Sequence, residues 1–156
     1  DKFRFAHLQE ALTFVPFGVA VDEFQHICYA HPELTPKERT YQWHLLEEKY
    51  MPWRKYENDA FMERGGYWYH KLHIYLYPFY YINYTLTTMG AMEFKTKDRK
   101  NHEDAWKDYL NLCKCGGSMS YLETLRYAHL MNPFEQGTVE KAIELAKNDL
   151  LNSKYM

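Results

Sequence analysis

Twelve residues, HIYLYPFYYINY (73–84), bring one imidazole and five phenols close together in the chain. A phenol has an ordinary pKa of about 10, so it donates a hydrogen bond at neutral pH. On a helix, His73 and Tyr77 are four apart and Tyr84 is seven further on. His73, Tyr77, Tyr80 or Tyr81, and Tyr84 would then share one side. Two phenols and an imidazole aimed at one point can hold a peptide carbonyl. They can also stabilise the oxyanion that forms when water attacks it, each donor contributing about 3 kcal/mol. An aromatic core with satisfied hydroxyls has the same spacing, so the pattern alone leaves both readings open.

The element carrying these residues reads as a long helical stretch from about Gly66 to Lys95, interrupted only by Pro78 and Gly90. Proline inside a helix removes a backbone bond and bends the axis, so the spacing predicts two helical arms meeting near Pro78. Phe79, Ile74 and Ile82 point away from the phenol stripe and are expected to pack. Just upstream, Arg64-Gly65-Gly66 reads either as a mobile loop beside a cleft, with Gly65 and Gly66 near substrate, or as a plain turn.

The remaining elements also read as helices. A segment from Val19 to Tyr29 has an apolar side of Phe24, Ile27 and Cys28 and closes at Ala30-His31-Pro32. Thr35-Pro36-Lys37-Glu38 is a capping box with proline in the first turn, opening a helix to about Tyr50. Asn101 caps a helix to Cys115, with Glu103 and Asp104 complementing its dipole and Gly116-Gly117 ending it. Ser120 to Glu123 is a second capping box, opening a helix to about Met131. Thr138 is the expected cap of the last helix, with Val139, Ile143, Ala146 and Leu150 as its apolar stripe. No segment has a sustained period of two. The prediction is an all-α chain, one helical segment over residues 1–156, with roughly six to eight helices.

Composition narrows the function classes. The 156 residues are 46% hydrophobic and 26% charged, so the chain can bury a core. A net charge of −2 offers no excess of cations to neutralise phosphates, which argues against nucleic acid as a partner. There is no run of about 18 apolar residues, so no membrane span is expected. Three cysteines, Cys28, Cys113 and Cys115, are an odd number and no disulfide framework, which suggests a cytoplasmic setting. Cys113 and Cys115 lack a second pair at zinc spacing and read as helix residues. Glu23-Phe24-Gln25-His26 is an ExxH, but a di-iron site needs two copies, so Asp22, Glu23 and His26 read as a polar network. His70 and His73 have no third ligand at clear spacing. Trp43, Trp53, Trp68 and Trp106 are expected in the core.

Four segments in order carry a family resemblance: LTFVPFGVAVDEFQH (12–26), LEEKYMPWRKY (46–56), ERGGYWYHKLHIYLYPFYYINYTL (63–86) and DYLNLCKCGGSMSYLETL (108–125). Together they resemble the C-terminal part of the oligoendopeptidase F family, among the thimet-type zinc oligopeptidases. The resemblance implies a multi-helix C-terminal part of a zincin-type oligopeptidase catalytic domain, which hydrolyses short peptides inside a channel. It further implies a wall facing the metal that holds substrate backbone and stabilises the tetrahedral intermediate. Tyr84 and Tyr77 would be its oxyanion-side donors and His73 its backbone-binding group, with Tyr80 and Tyr81 lining the channel.

The family's zinc comes from an HExxH helix and a later glutamate, the HExxH glutamate activating water. None of the eight histidines here begins an HExxH; His102-Glu103 is followed by Trp106 where the second histidine would stand. The expectation is therefore a piece of a longer enzyme, inactive alone. Its partners would be short peptides and the zinc-binding part that precedes it. Zinc belongs to the parent, none is expected in this chain alone, and the uncovered apolar surface would favour self-association. Asn83 stands where the family often has Asp, which removes a charge beside the tyrosines. The alternative is a self-standing helical module whose aromatic groove binds a peptide or apolar ligand.

Overall fold

The computed structural model describes residues 1–155, and every regular element among them is helical. The elements are α1 (Lys2–Ala30), α2 (Pro36–Tyr50), α3 (Ala60–Glu63), a 3-10 turn (Gly66–His70), α4 (Leu72–Leu76), α5 (Ile82–Lys100), α6 (His102–Cys115), α7 (Tyr121–Tyr127) and α8 (Thr138–Leu151). They form two compact units: residues 13–85, and residues 1–12 together with those from 86 onward.

In the unit of residues 13–85, α1 supplies Phe17, Ala20, Val21 and Phe24 to one core with Trp43, Leu46, Met51, Trp68 and Tyr81. α1 begins at Lys2, well before the expected Val19, and carries Pro16 in its interior. The rings around Phe17 and Phe24 account for this. Phe24 meets Trp43 at 5.4 Å and Trp68 at 4.9 Å, and Phe17 meets Tyr81 edge-on at 5.9 Å. Each such pair contributes about 0.5–1.5 kcal/mol beyond its buried area, so several together offset the roughly 3 kcal/mol cost of an interior proline. Of the four tryptophans expected inside, Trp43 and Trp68 are buried, whereas Trp53 and Trp106 are exposed.

α2 opens as its sequence dictates. Glu38 N–H donates to Thr35 Oγ1, and the Glu38 carboxylate accepts from Thr35 N–H at 2.8 Å. The segment after it differs from the long bent helix that the spacing predicts. Residues 66–70 form a 3-10 turn, α4 is five residues long, and residues 77–81 are a turn. Pro78 has no N–H to give, and a residue before proline is pushed out of the α region. Tyr77 accordingly sits at φ −134°, ψ 71°, and Phe79 is left-handed at φ 58°. Pro78 separates two helices here and bends neither.

In the other unit, α7 stops at Tyr127, short of the expected Met131. Its end is a Schellman closure with His129 left-handed at φ 51°. Leu130 N–H donates to Leu125 O at 2.8 Å and His129 N–H to Arg126 O at 3.1 Å. The flanking Leu125 and Leu130 share one small core with Ala128. Partners from α5 and α6 fix this turn: Lys97 Nζ donates to His129 O at 2.8 Å and to Asp108 Oδ2 at 2.5 Å, and the Glu93 carboxylate accepts Met131 N–H at 3.0 Å. α8 is capped by left-handed Gly137, with Thr138 already inside the helix. Its buried side is Thr138, Ala142 and Ala146, rotated from the predicted stripe; Val139 is exposed.

Candidate functional site

Two short elements and the turn between them gather the imidazole and the phenols. His73 lies in α4, Tyr77 at its C-terminal cap, Tyr80 and Tyr81 in the turn, and Tyr84 in the first turn of α5. The His73 ring lies 6.0 Å from Tyr77, 6.4 Å from Tyr80, 5.1 Å from Tyr81 and 5.6 Å from Tyr84. Tyr84 lies 5.5 Å from Tyr80 and 5.3 Å from Tyr81. The Tyr84 hydroxyl approaches His73 Nε2 to 3.5 Å. The residues that the spacing placed on one helix face do come together, through a turn in place of a continuous helix.

Their exposures differ in a useful way. Tyr77, Tyr80 and Tyr84 are 54%, 47% and 39% exposed, and Tyr81 only 5%. Tyr81 is thus a core residue, packed on Phe14 and Phe17, and it forms the floor on which His73 and Tyr84 stand edge-on. A hydrogen bond with Tyr80, and then partial desolvation, push the Tyr84 phenol above its ordinary value. Burial does the same for Tyr81. Tyr84 therefore stays protonated, and a donor, through the whole neutral range.

Three residues that the sequence reading passed over hold the cluster in place. Gln25, buried in α1, accepts the Phe79 N–H on its Oε1 at 2.9 Å and donates from Nε2 to Val21 O at 3.2 Å. The turn's left-handed residue is thereby tied to α1, and its ring lies against His26 and Tyr29 at 4.7 and 5.1 Å. Lys71 Nζ lies over the Phe17 ring at 4.9 Å and the Tyr81 ring at 5.3 Å. Burial, and then the Arg54 charge, push its ammonium below the usual lysine range. Arg54 itself stacks over Tyr67 at 4.4 Å and pairs with Glu47 at 3.6 Å. The available signals were weak: a glutamine on the apolar side of a helix, and two cations inside aromatic segments.

Gly65 and Gly66 are buried in a packed turn. Gly65 has φ 95°, and a Cβ there would lie 2.2 Å from Thr40 O and 2.7 Å from His44 N. A Cβ at Gly66 would meet the Phe61 ring at 2.4 Å. Close approach of Gly65 to the α2 backbone and of Gly66 to Phe61 of α3 accounts for the two glycines. The ExxH residues divide their partners: Glu23 accepts from Lys49 Nζ at 2.8 Å and from the Tyr50 hydroxyl, while His26 faces Asp22 at 3.4 Å. His70 Nδ1 is engaged with Tyr67 O.

Among the described residues no three His, Cys, Asp or Glu side chains lie together as a metal-ligand set. The described residues therefore offer no donor set that fits a complete zinc centre. No helix among them is long and apolar enough to cross a membrane. What the cluster offers is a half-exposed row of neutral hydroxyl donors and one imidazole on a rigid aromatic base, which suits a carbonyl or an oxyanion.

No family model and no curated protein matches the chain. Solved structures do. PZ peptidase A, in a structure with an inhibitor, is 45% identical with a TM-score of 0.93, over 98% of this chain and 27% of that one. An oligoendopeptidase F structure is 44% identical with a TM-score of 0.94, over 99% of this chain and 27% of that one. An oligoendopeptidase F from Bacillus anthracis is 39% identical with a TM-score of 0.79, over 99% and 24%. The chain spans about a quarter of the length of these relatives, and the similarity runs through nearly all of its own residues. With an all-helical fold shared at this identity over nearly all of its residues, the chain matches a part of oligoendopeptidase F and PZ peptidase structures, as a fragment of that family would.

Proposed function

We propose that this chain is the substrate-holding wall of a zinc-dependent oligoendopeptidase and is inactive by itself. The observation that supports this is the approach of the Tyr84 hydroxyl to His73 Nε2 on the exposed side of the Tyr81 floor. In this reading His73 binds substrate backbone, and the Tyr84 and Tyr77 hydroxyls donate to the peptide carbonyl and then more strongly to the oxyanion. Tyr80 holds Tyr84 in its protonated form through their hydrogen bond. Tyr81 positions both partners from below. Gly65 contributes by letting the preceding turn lie close on α2, and Gly66 by letting the chain pass Phe61, so they are positioning residues. The zinc of the family resemblance would be bound by residues outside these 156, and short peptides would be the substrates.

The test is Tyr84→Phe in the longer enzyme that contains this segment. Loss of one oxyanion donor lowers kcat by about 10² or more. Unchanged turnover, with the variant folded, would remove Tyr84 from the reaction. Metal content of the 156-residue chain gives a second check: one tightly bound zinc with chelator-sensitive peptide cleavage would refute the inactive-wall reading.

A further inference from the structure

Phe79 sits in the turn between α4 and α5 with a left-handed backbone, φ 58°. A bulky side chain rarely adopts that conformation, and it persists only where the surroundings impose it. Here the surroundings are one stretch of α1. Gln25 Oε1 accepts the Phe79 N–H at 2.9 Å, and the Phe79 ring lies against His26 at 4.7 Å and Tyr29 at 5.1 Å. His26 in turn faces Asp22 at 3.4 Å, one helical turn earlier.

This grip is not core packing. Phe79, His26 and Tyr29 lie outside the buried cluster around Phe17 and Phe24, and all three are exposed. Burial therefore gains little from placing the ring there, and the consequence is one of direction. The Phe79 ring goes to α1, while the ring of the next residue, Tyr80, goes to the imidazole–phenol cluster. There it meets Tyr77 at 6.3 Å and Tyr84 at 5.5 Å. His73 belongs to α4 and lies outside this turn.

Resting on the reading of that cluster as the substrate-holding site, we infer that Phe79 is a positioning residue for the hydroxyls of Tyr77, Tyr80 and Tyr84. Gln25, His26 and Tyr29 act on the reaction through it. Release of the turn from α1 moves Tyr77 and Tyr80 away from the positions that serve the oxyanion, and a displacement of about 1 Å can cost about 10² in rate. His73 still holds substrate backbone, so the loss falls on kcat and not on KM.

The experiment measures kcat and KM for a quenched fluorescent short peptide with the longer enzyme that contains this segment. Phe79→Ala removes the ring and should lower kcat about tenfold or more, with KM changed by less than about threefold. Phe79→Tyr keeps the ring and should retain about half or more of the parent kcat. If Phe79→Ala fails to fold, His26→Ala combined with Tyr29→Ala removes the clamp from two exposed positions and should lower kcat about fivefold or more at similar KM. Tyr84→Phe, measured alongside, separates this inference from the site reading. Impaired Tyr84→Phe beside unimpaired Phe79→Ala, or beside an unimpaired clamp variant, overturns the inference and leaves the site reading standing. Unchanged turnover in Tyr84→Phe overturns the site reading and this inference with it. Equal losses in Phe79→Ala and Phe79→Tyr, or a raised KM at constant kcat, would also overturn the inference.

Discussion

The carboxamide of Gln25 accepts the N–H of Phe79 at 2.9 Å across 54 positions of sequence. This one bond ties the turn carrying Tyr77, Tyr80 and Tyr81 to the long helix that floors the core. It also satisfies the donor that follows Pro78 in a left-handed conformation, φ 58°. Gln25→Leu keeps the size of the side chain and removes the acceptor. A buried N–H left without a partner costs about 1–3 kcal/mol. The variant should lower stability by that amount and speed amide exchange at Phe79 well beyond that at core amides such as Val21. Unaltered protection at Phe79 would show that the turn holds itself.

The Tyr80–Tyr84 pair predicts a titration. Their hydrogen bond favours the neutral Tyr84 phenol and so raises its pKa. In ¹³Cζ-tyrosine spectra Tyr84 should titrate above the ordinary value of about 10. In Tyr80→Phe the midpoint should fall back toward that value, because the partner that stabilises the protonated form is gone. No movement on removing the Tyr80 hydroxyl would mean the two do not interact in solution.

Gly65 gives a structural prediction. An alanine there would be strained at φ 95° and would place its methyl against backbone atoms of α2. Neither the Thr40 carbonyl nor the His44 N–H can rotate away as a flexible side chain would. Strain of about 1–3 kcal/mol from the backbone conformation adds to about 1–3 kcal/mol from overpacking, which outweighs the gain of up to about 1 kcal/mol from replacing glycine. Gly65→Ala should therefore unfold at clearly lower denaturant concentration. Gly117→Ala serves as a control, because it shares a positive φ of 80° with open space around it.

The turn after α7 predicts an acid-sensitive step. The Lys97 ammonium, and then His129, hold the Asp108 carboxyl below the usual aspartate range. A carboxylate with a depressed folded pKa contributes stability above its unfolded value near 4. That contribution is lost as pH falls through the lower folded value. Asp108→Asn should reduce the melting temperature at pH 7 and leave it nearly unchanged near pH 2. A difference from the parent that is equal at both pH values would exclude the charge as its cause. Glu93 acts in the opposite sense, since burial raises its carboxyl. Its contribution is largest at acid pH and declines as pH rises through that raised value.

Much of the helical framework was legible in the chain because its signals are local. Thr35 with Glu38, Asn101 with Asp104, and Ser120 with Glu123 act within three residues, and their caps stand where the sequence puts them. The phenol cluster was legible for a weaker reason. Spacings of four and seven bring His73, Tyr77 and Tyr84 to one side of any helix-like path, so the cluster survived replacement of the expected helix by a turn. What stayed hidden depended on partners far away in sequence. The length of α1 despite Pro16 rests on rings from Trp43, Trp68 and Tyr81. The early end of α7 rests on Lys97, Asp108 and Glu93 supplying bonds that compete with the helix ladder. Trp53 and Trp106 are as apolar as Trp43, and only the packing decided which of them went inside.

The sequence by itself determined the helical class, the starts of α2, α6 and α7, and the company of one imidazole with several phenols. Capping and periodicity are short-range interactions, and 156 residues contain all the atoms they need. Tertiary structure alone decided which phenol is floor and which is donor. Tyr81 and Tyr84 are three positions apart and chemically identical, but one is 5% exposed and the other 39%. That difference comes from Phe14 and Phe17 of α1, which pack on Tyr81, and from Gln25, which sets the turn that aims the two rings apart.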